Sequence, residues 1–192
     1  MRPGNSTRDR ILAAATAVFA ERDFHRVQVS EVAEHAGVGK GTVYLYFPTK
    51  DELHHAALEA SLRRLAEELE AAAAADAPAE RALRDLVVAI LRFFWKRQHL
   101  LTVVQRYEQR PGRRGRKHRA LAAVERLLVR HRLGGSGAAR HLAAAFLLGL
   151  SRAAILEHAA DDRPDAVAQR IVTLFLHGIG PARAARRARR AA

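Results

Sequence analysis

The chain has 192 residues, of which 33 are Arg or Lys and 20 are Asp or Glu, so its formal net charge is +13. It contains no cysteine, which excludes a disulfide framework and a thiolate metal site. The excess of cations favours a polyanionic partner.

The composition favours an all-α protein, because Ala and Arg are abundant while Ile and aromatic residues are sparse. The length allows a small N-terminal domain and a larger second domain. No continuous apolar stretch precedes Glu21, so a signal peptide is not expected. No segment is expected to reach the roughly 18–20 apolar residues of a transmembrane helix. We therefore expect a soluble, cytoplasmic protein.

The first predicted helix runs from about Thr7 to Ala20, with Ser6 as its N-cap. The segment Val29 to Lys50 (VSEVAEHAGVGKGTVYLYFPTK) then has the spacing of a helix-turn-helix. Two helices crossing steeply need a small side chain at their closest approach, which Ala33 supplies. The turn between them needs a residue that tolerates positive φ, which Gly37 supplies. The apolar residues that hold the crossing angle are Val32, Val38 and Val43.

Residues 42–47 (TVYLYF) would indicate a strand if read alone, because they are β-branched and aromatic with alternation. Pro48 argues against that interpretation, since it disfavours helical geometry at Phe47 and so ends a preceding helix there. Thr49 and Glu52 form a capping-box pattern that opens a long helix. Lys50 lies in its first turn, where a DNA phosphate would offset the opposing helix dipole. The alternative is that Lys50 is only solvated.

These residues resemble the DNA-binding domain of the TetR family of transcriptional regulators. The resemblance rests on AGVGKGTVYLYFPTKDEL, preceded by TRDRILAAATAVFAERDF, and runs from about Ser6 to Ala60. We place the DNA-binding domain at residues 5–65, with the helix-turn-helix at 28–47. Two positions depart from the family pattern: Gln28 lies where members often have a Thr or Ser cap, and Gly39 replaces a frequent Ser. The first departure shifts the expected phosphate contact towards Ser30.

The second predicted helix carries most of the expected DNA contacts. Lys40 offers a charge, Gly41 allows close backbone approach, and Thr42 offers a hydroxyl or a methyl group. For one of the two tyrosines, Tyr44 or Tyr46, a partly structural role in the core of the small domain stays an alternative. The predicted DNA-facing residues are Ser30, Gly39, Lys40, Gly41, Thr42, Tyr44, Tyr46 and Lys50.

A second helical domain, predicted at residues 66–180, would bind an effector and form a dimer. Helices are expected at about 83–95, 99–107, 117–132, 138–157 and 164–179. The last two are apolar on more than one side, so either a second subunit covers them or both faces are internal. The resemblance implies a homodimer through these two helices. The predicted interface residues are Phe146, Gly149, Leu150, Ala153, Ile171, Phe175 and Ile179.

Aromatic residues of the second domain are candidates for an effector pocket, although a helical aromatic stripe also suits a core. The candidates are Phe93, Phe94, Trp95, His99, Tyr107 and Phe146. The ten histidines are scattered and the one adjacent pair is poorly placed for chelation, so no metal site is predicted. No catalytic constellation stands out either, so we expect neither an enzyme nor a cofactor.

Most of the positive charge lies outside the helix-turn-helix. Residues 1–64 hold nine Arg or Lys and eight Asp or Glu, whereas residues 65–192 hold twenty-four and twelve. The segment 106–119 has seven cations and one acid, which suits a solvated loop, a DNA-backbone contact or an anionic effector such as an acyl-CoA. The tail 181–192 has five Arg and is expected to be disordered.

The sequence thus predicts a ligand-responsive transcriptional regulator. In this hypothesis a dimer represses from a palindromic operator and is released by a small apolar or amphipathic effector. Two alternatives stay open. A nucleoid-associated or protein-interaction factor with weak sequence preference would use the basic loop and tail. An enzyme with an appended helix-turn-helix would need catalytic groups that the sequence does not display.

Overall fold

The computed structural model describes residues 6–95, 100, 104, 119–157 and 163–178. These residues form an all-α fold and contain no strand, which confirms the predicted fold class. A 3-10 turn at Phe24–Arg26 follows the first helix. The α-helices are α1 (Thr7–Glu21), α2 (Val29–Ala36), α3 (Lys40–Tyr46), α4 (Lys50–Ala74), α5 (Ala79–Phe94), α6 (Arg119–Arg130), α7 (Gly137–Glu157) and α8 (Pro164–His177).

The first three helices and the start of α4 enclose an N-terminal core. The Ser6 hydroxyl caps α1 by accepting from the backbone N–H of Asp9 at 3.2 Å. Burial then follows the amphipathic pattern of α1, because the small and apolar residues that recur at helical spacing all face inward. The core residues of α1 are Ile11, Ala14, Ala15, Val18 and Phe19.

The turn of the helix-turn-helix depends on Gly37, whose φ of 63° lies in the left-handed region. The N–H of Val38 donates to the carbonyl of Ala33 at 3.0 Å, which closes the end of α2. Arg10 of α1 reaches this turn, and its guanidinium donates to the carbonyls of Ala36 at 2.6 Å and Gly37 at 3.2 Å. A Cβ at Gly37 would lie 3.0 Å from that guanidinium. Gly37 is therefore required both by the backbone angle and by the arginine that holds α1 to the turn.

Helix α3 ends and α4 begins where the sequence predicts. The C-cap of α3 is Phe47, which is buried and directly precedes Pro48. The Thr49 side chain then caps α4 by accepting from the N–H of Glu52 at 3.1 Å. The strand-like pattern of residues 42–47 does not decide their structure, because Val43 and Phe47 are one helical turn apart and both anchor in the N-terminal core.

Helices α4 to α8 enclose a second, larger core. Helix α4 runs for 25 residues and contributes to both cores, with Leu53 and Ala57 in the first and Leu65, Leu69 and Ala73 in the second. The helix predicted at 99–107, the basic residues 106–118 and the tail 181–192 lie outside the described residues, apart from Leu100 and Val104. The domain boundaries at 65/66 and 180/181 stay predictions.

Helix α7 is buried on one side and exposed on the other. Ala144, Leu147, Ser151 and Ile155 are buried in the second core. On the opposite side Leu142 is 70% exposed, Phe146 54% and Leu156 51%. The alternative in which both faces of this helix are internal is therefore wrong for the single chain.

Two expectations for the last helices need correction. Ile171 of α8 is only 6% exposed and packs in the core of its own chain, so it is not on the exposed face expected from the sequence. In addition, α7 is long and apolar enough to cross a membrane by length and composition, contrary to the expectation that no segment approaches this. One face of this helix packs against the protein core, which accounts for the apolar residues on that side.

The role of Gly37 can be tested with a pair of glycine-to-alanine variants. Gly37→Ala should lower the free energy of unfolding by roughly 1–2 kcal/mol, because an L-residue is strained at positive φ. Gly41 lies inside α3 with no atom within 4 Å of an added Cβ. Gly41→Ala should therefore raise stability by about 0.5–1 kcal/mol. Urea denaturation followed by circular dichroism measures both, and equal effects of the same sign would contradict this account of the turn.

Candidate DNA-binding surface and interdomain cavity

Helix α3 is attached to the protein by one face, which leaves its other side chains exposed. Val43 and Phe47 are buried, whereas Tyr44 is 40% and Tyr46 44% exposed. Neither tyrosine is therefore a core residue, although the sequence interpretation leaves a partly structural role open for one of them. Both phenolic groups lie on the surface, where they can donate to phosphates or base edges.

The N-terminal turn of α3 combines a cation with open space. Gly41 is exposed, so another backbone can approach closely there. The Lys40 ammonium lies 6.0 Å from the centroid of the Tyr44 ring, at the outer limit of a cation–π contact. The N–H of Thr42 donates to the carbonyl of Gly39 at 2.9 Å, so Gly39 acts as the N-cap without contributing a side chain.

Helix α2 begins without the hydroxyl cap that the family pattern supplies. Gln28 is its N-cap, and the Gln28 N–H donates to the Glu31 carboxylate at 3.3 Å. The Ser30 hydroxyl is exposed and donates weakly to the Gln28 side-chain carbonyl at 3.4 Å. A weak exposed bond can be exchanged for a stronger charge-assisted one, so Ser30 can turn towards a phosphate.

Lys50 has an aromatic partner that the sequence does not indicate. Its ammonium lies 4.4 Å from the centroid of the Phe24 ring, and its side chain is half-buried. The Phe24 ring in turn contacts the imidazole of His54, with centroids 4.9 Å apart. A phosphate contact by Lys50 therefore requires the side chain to leave this ring or to bridge the ring and the phosphate.

Two exposed residues of this surface are missing from the set predicted from the sequence. Leu45 is 83% exposed in the middle of α3. Arg8 of α1 is also exposed, and its guanidinium lies 5.2 Å from the centroid of the Phe47 ring beside the end of α3. The exposure of Leu45 could have been predicted from its position two residues from both Val43 and Phe47, because that spacing places it opposite the buried face of the helix.

A cavity of about 710 Å³ lies between the N-terminal domain and the second domain. Its walls come from α1, α4 and α5, with Leu100 and one residue of α8, so it joins residues of both cores. Of the residues predicted to form an effector pocket and described in the structure, only Phe93 lines it. Phe94 is buried in the second core, Trp95 is half-buried at the end of α5, and Phe146 is exposed on α7. His99 and Tyr107 lie outside the described residues.

The cavity has apolar walls, and the charged residues at its rim form ion pairs. Its walls include Phe19, Ala57, Leu58, Leu65, Val88 and Ala89. At the rim Arg92 and Asp165 form an ion pair at 3.1 Å, and Arg64 and Glu68 form another at 3.5 Å. Such a combination suits the apolar part of an apolar or amphipathic molecule. Among the described residues, no three His, Asp or Glu side chains are grouped as a metal site.

Comparison with known proteins agrees with the geometry of the N-terminal domain. Residues 11–57 match the family model of bacterial regulatory proteins, tetR family. The fatty acid metabolism regulator protein of Bacillus subtilis (strain 168) is 48% identical over 44 residues, which are 23% of each chain. The HTH-type transcriptional activator FasR of Mycolicibacterium smegmatis is 39% identical over 57 residues, covering 30% of this chain and 26% of FasR. The chain thus matches about a quarter of the length of these relatives.

The similarity of fold extends over both domains. The crystal structure of the regulator FadR from Bacillus subtilis in complex with stearoyl-CoA superimposes with a TM-score of 0.65 at 22% identity. The match covers 89% of this chain and 98% of FadR. At this identity the comparison shows the fold alone. Together, the helix-turn-helix geometry and the family match show that residues 11–57 form a DNA-binding domain of the tetR family of bacterial regulatory proteins.

Proposed function

We propose that the protein is a cytoplasmic, non-enzymatic transcriptional repressor that binds a palindromic operator as a homodimer and is released by a small effector. The observation that carries this proposal is α3: a helix anchored by Val43 and Phe47 that turns Lys40, Tyr44 and Tyr46 outward from a helix-turn-helix. In a dimer, two such helices would enter successive major grooves roughly 34–36 Å apart.

Specific binding separates this proposal from the alternative of a nucleoid-associated or protein-interaction factor. We expect DNA from beside the protein's own gene to bind about 10³-fold or more tightly than random DNA at physiological salt. A fluorescence-anisotropy titration across a salt series with both DNAs measures this ratio. Equal affinities that fall together as salt rises would support the alternative, since phosphate contacts alone do not select a sequence.

Lys50 is proposed to contact a DNA phosphate. Lys50→Ala should weaken binding to every sequence and reduce the slope of log K against log salt by about one unit in each subunit, because one phosphate is no longer neutralised there. Phe24→Leu is the matched control, because it removes the aromatic partner of Lys50 and keeps the cation. If Lys50→Ala leaves the salt slope unchanged while both variants lower the melting temperature alike, the lysine only packs on Phe24.

The dimer is proposed to form through the exposed face of α7 and the adjoining part of α8. This face presents Leu142, Phe146 and Leu156, with Gly149 and Ala153 between them. The Phe146 ring lies 6.4 Å from that of Phe175 on α8, so the two helices share one apolar surface. Small residues between large ones let a second helix pair pack closely, and burial would offset the cost of exposing this surface. Leu150 is half-buried beside it, and Ile179 lies outside the described residues.

Phe146→Glu should convert the dimer to a 21.2 kDa monomer, because the substitution buries a charge at the centre of the proposed interface. Size-exclusion chromatography with light scattering measures the mass. Val129→Glu is the control, since Val129 is an exposed apolar residue on α6 rather than on this face. A dimer that survives Phe146→Glu, or one that Val129→Glu disrupts equally, would contradict the assignment.

The effector is proposed to occupy the interdomain cavity. A molecule held between α1 and α5 would fix the angle of the N-terminal domain relative to the second domain, and with it the separation of the two α3 helices. A coupling free energy of about 1–3 kcal/mol is enough to weaken DNA binding roughly 5- to 150-fold. The volume of 710 Å³ falls within the usual range for small-molecule sites.

Ala89→Phe should abolish effector binding, because the phenyl ring would project into the cavity from α5. Stearoyl-CoA and stearic acid are the first probes, since the FadR structure of the same fold holds stearoyl-CoA. Each should raise the melting temperature of the unmodified protein and of the control Ala71→Phe, an exposed alanine outside the cavity. Retained binding in Ala89→Phe would remove the effector from this cavity, and no binding to the unmodified protein would exclude fatty-acyl effectors.

A further inference from the structure

Leu45 is the most exposed large apolar residue among those described, with 83% of its surface accessible. Isolated exposed leucines are common on proteins and need no explanation. The position of Leu45 is different, because it lies in the middle of the helix that this protein would place in a major groove. Val43 of α3 and its C-cap Phe47 are buried, and Tyr44 and Tyr46 are about half as exposed as Leu45.

The helical geometry makes Leu45 the outermost side chain of α3. Successive residues of an α-helix are about 100° apart, so Leu45 points about 160° away from each of the two anchors, Val43 and Phe47. Tyr44 and Tyr46 flank it on either side. Gly41 lies one turn earlier on the same face, and helical side chains lean towards the N-terminus. Leu45 therefore projects over a position with no side chain, where no atom lies within 4 Å of an added Cβ.

The chemistry of leucine limits what it can recognise in a groove. It has neither a donor nor an acceptor, so it cannot distinguish the hydrogen-bonding edges of the bases. The one apolar group that a standard base presents in the major groove is the C5 methyl of thymine. Lys40 and the two tyrosines can bond to phosphates or polar base edges. Thr42 also carries a methyl group but is half-buried, so Leu45 presents the most exposed apolar side chain of α3.

We propose that Leu45 is a specificity-determining residue that selects thymine in each operator half-site through its C5 methyl group. This inference rests on the proposed DNA-binding function and on α3 lying in the major groove. Loss of one methyl contact should weaken binding about fourfold, which is the ratio that corresponds to one buried methyl-sized group. Two symmetric half-sites should together give about 15-fold, provided that the two contacts are additive.

The experiment replaces single thymines of the bound operator with deoxyuridine, which lacks only the C5 methyl. Binding of the unmodified protein, Leu45→Ala and Leu45→Met is measured by anisotropy on each DNA and on random DNA. We expect one thymine in each half-site whose replacement weakens binding by the unmodified protein and by Leu45→Met but not by Leu45→Ala. On random DNA the three proteins should bind alike, and because Leu45 is exposed their melting temperatures should agree.

Two outcomes overturn the inference without affecting the proposed function. One is specific operator binding that no deoxyuridine replacement weakens, and the other is a deoxyuridine effect that Leu45→Ala retains in full. Failure of the proposed function is distinct, because the unmodified protein would then bind operator and random DNA equally before any thymine is replaced.

Discussion

Helix α4 has to serve two hydrophobic cores at once, and the rest of the structure depends on that constraint. Its first turns place Leu53 and Ala57 among the helices of the DNA-binding domain, and its later turns place Leu65, Leu69 and Ala73 among those of the second domain. A continuous helix of 25 residues extends about 37 Å. Because α4 is closely packed in both cores, a displacement of one end of the helix is either resisted by the packing at the other end or transmitted to it.

Both proposed functional regions lie against α4. At its N-terminus, Thr49 caps the helix directly after α3, and the Lys50 ammonium lies over the Phe24 ring. One turn later the buried His54 contacts the rings of Phe19 and Phe24, with centroids 4.8 Å and 4.9 Å away. His54 also lines the interdomain cavity. The proposed DNA surface and the proposed effector site are thus separated by a single aromatic cluster, which gives a short physical route for coupling between them.

The helix-turn-helix is predictable because its special positions have local causes. The left-handed backbone at Gly37, the helix end before Pro48 and the cap at Thr49 each follow from one residue and its neighbours. The exposure of Leu45 also follows from its spacing to Val43 and Phe47. A leucine is nevertheless ordinarily expected in a core, and only the packing of α3 shows that its inner face is already occupied.

The second domain is harder to predict in detail. Its helices and the two-sided apolar character of α7 are visible in the sequence, but the residues facing inward depend on how α7 and α8 rotate about their axes. Ile171 is expected on an exposed face and is buried, whereas Phe146 is a candidate for both a pocket and an interface and is exposed. The two helices have apolar residues all round, so periodicity alone leaves the rotation undetermined.

The sequence by itself determined the all-α class and the helix-turn-helix with its turn and caps, because these follow from interactions between residues at most a few positions apart. Its motifs also identified the family of the N-terminal domain. Only the tertiary structure decided the ring that holds Lys50, the arginine that joins α1 to the turn, the exposed face of α7 and the interdomain cavity. The cavity brings together residues of α1, α4, α5 and α8. Such contacts join distant parts of the chain, and no local pattern specifies which residues meet when the helices pack.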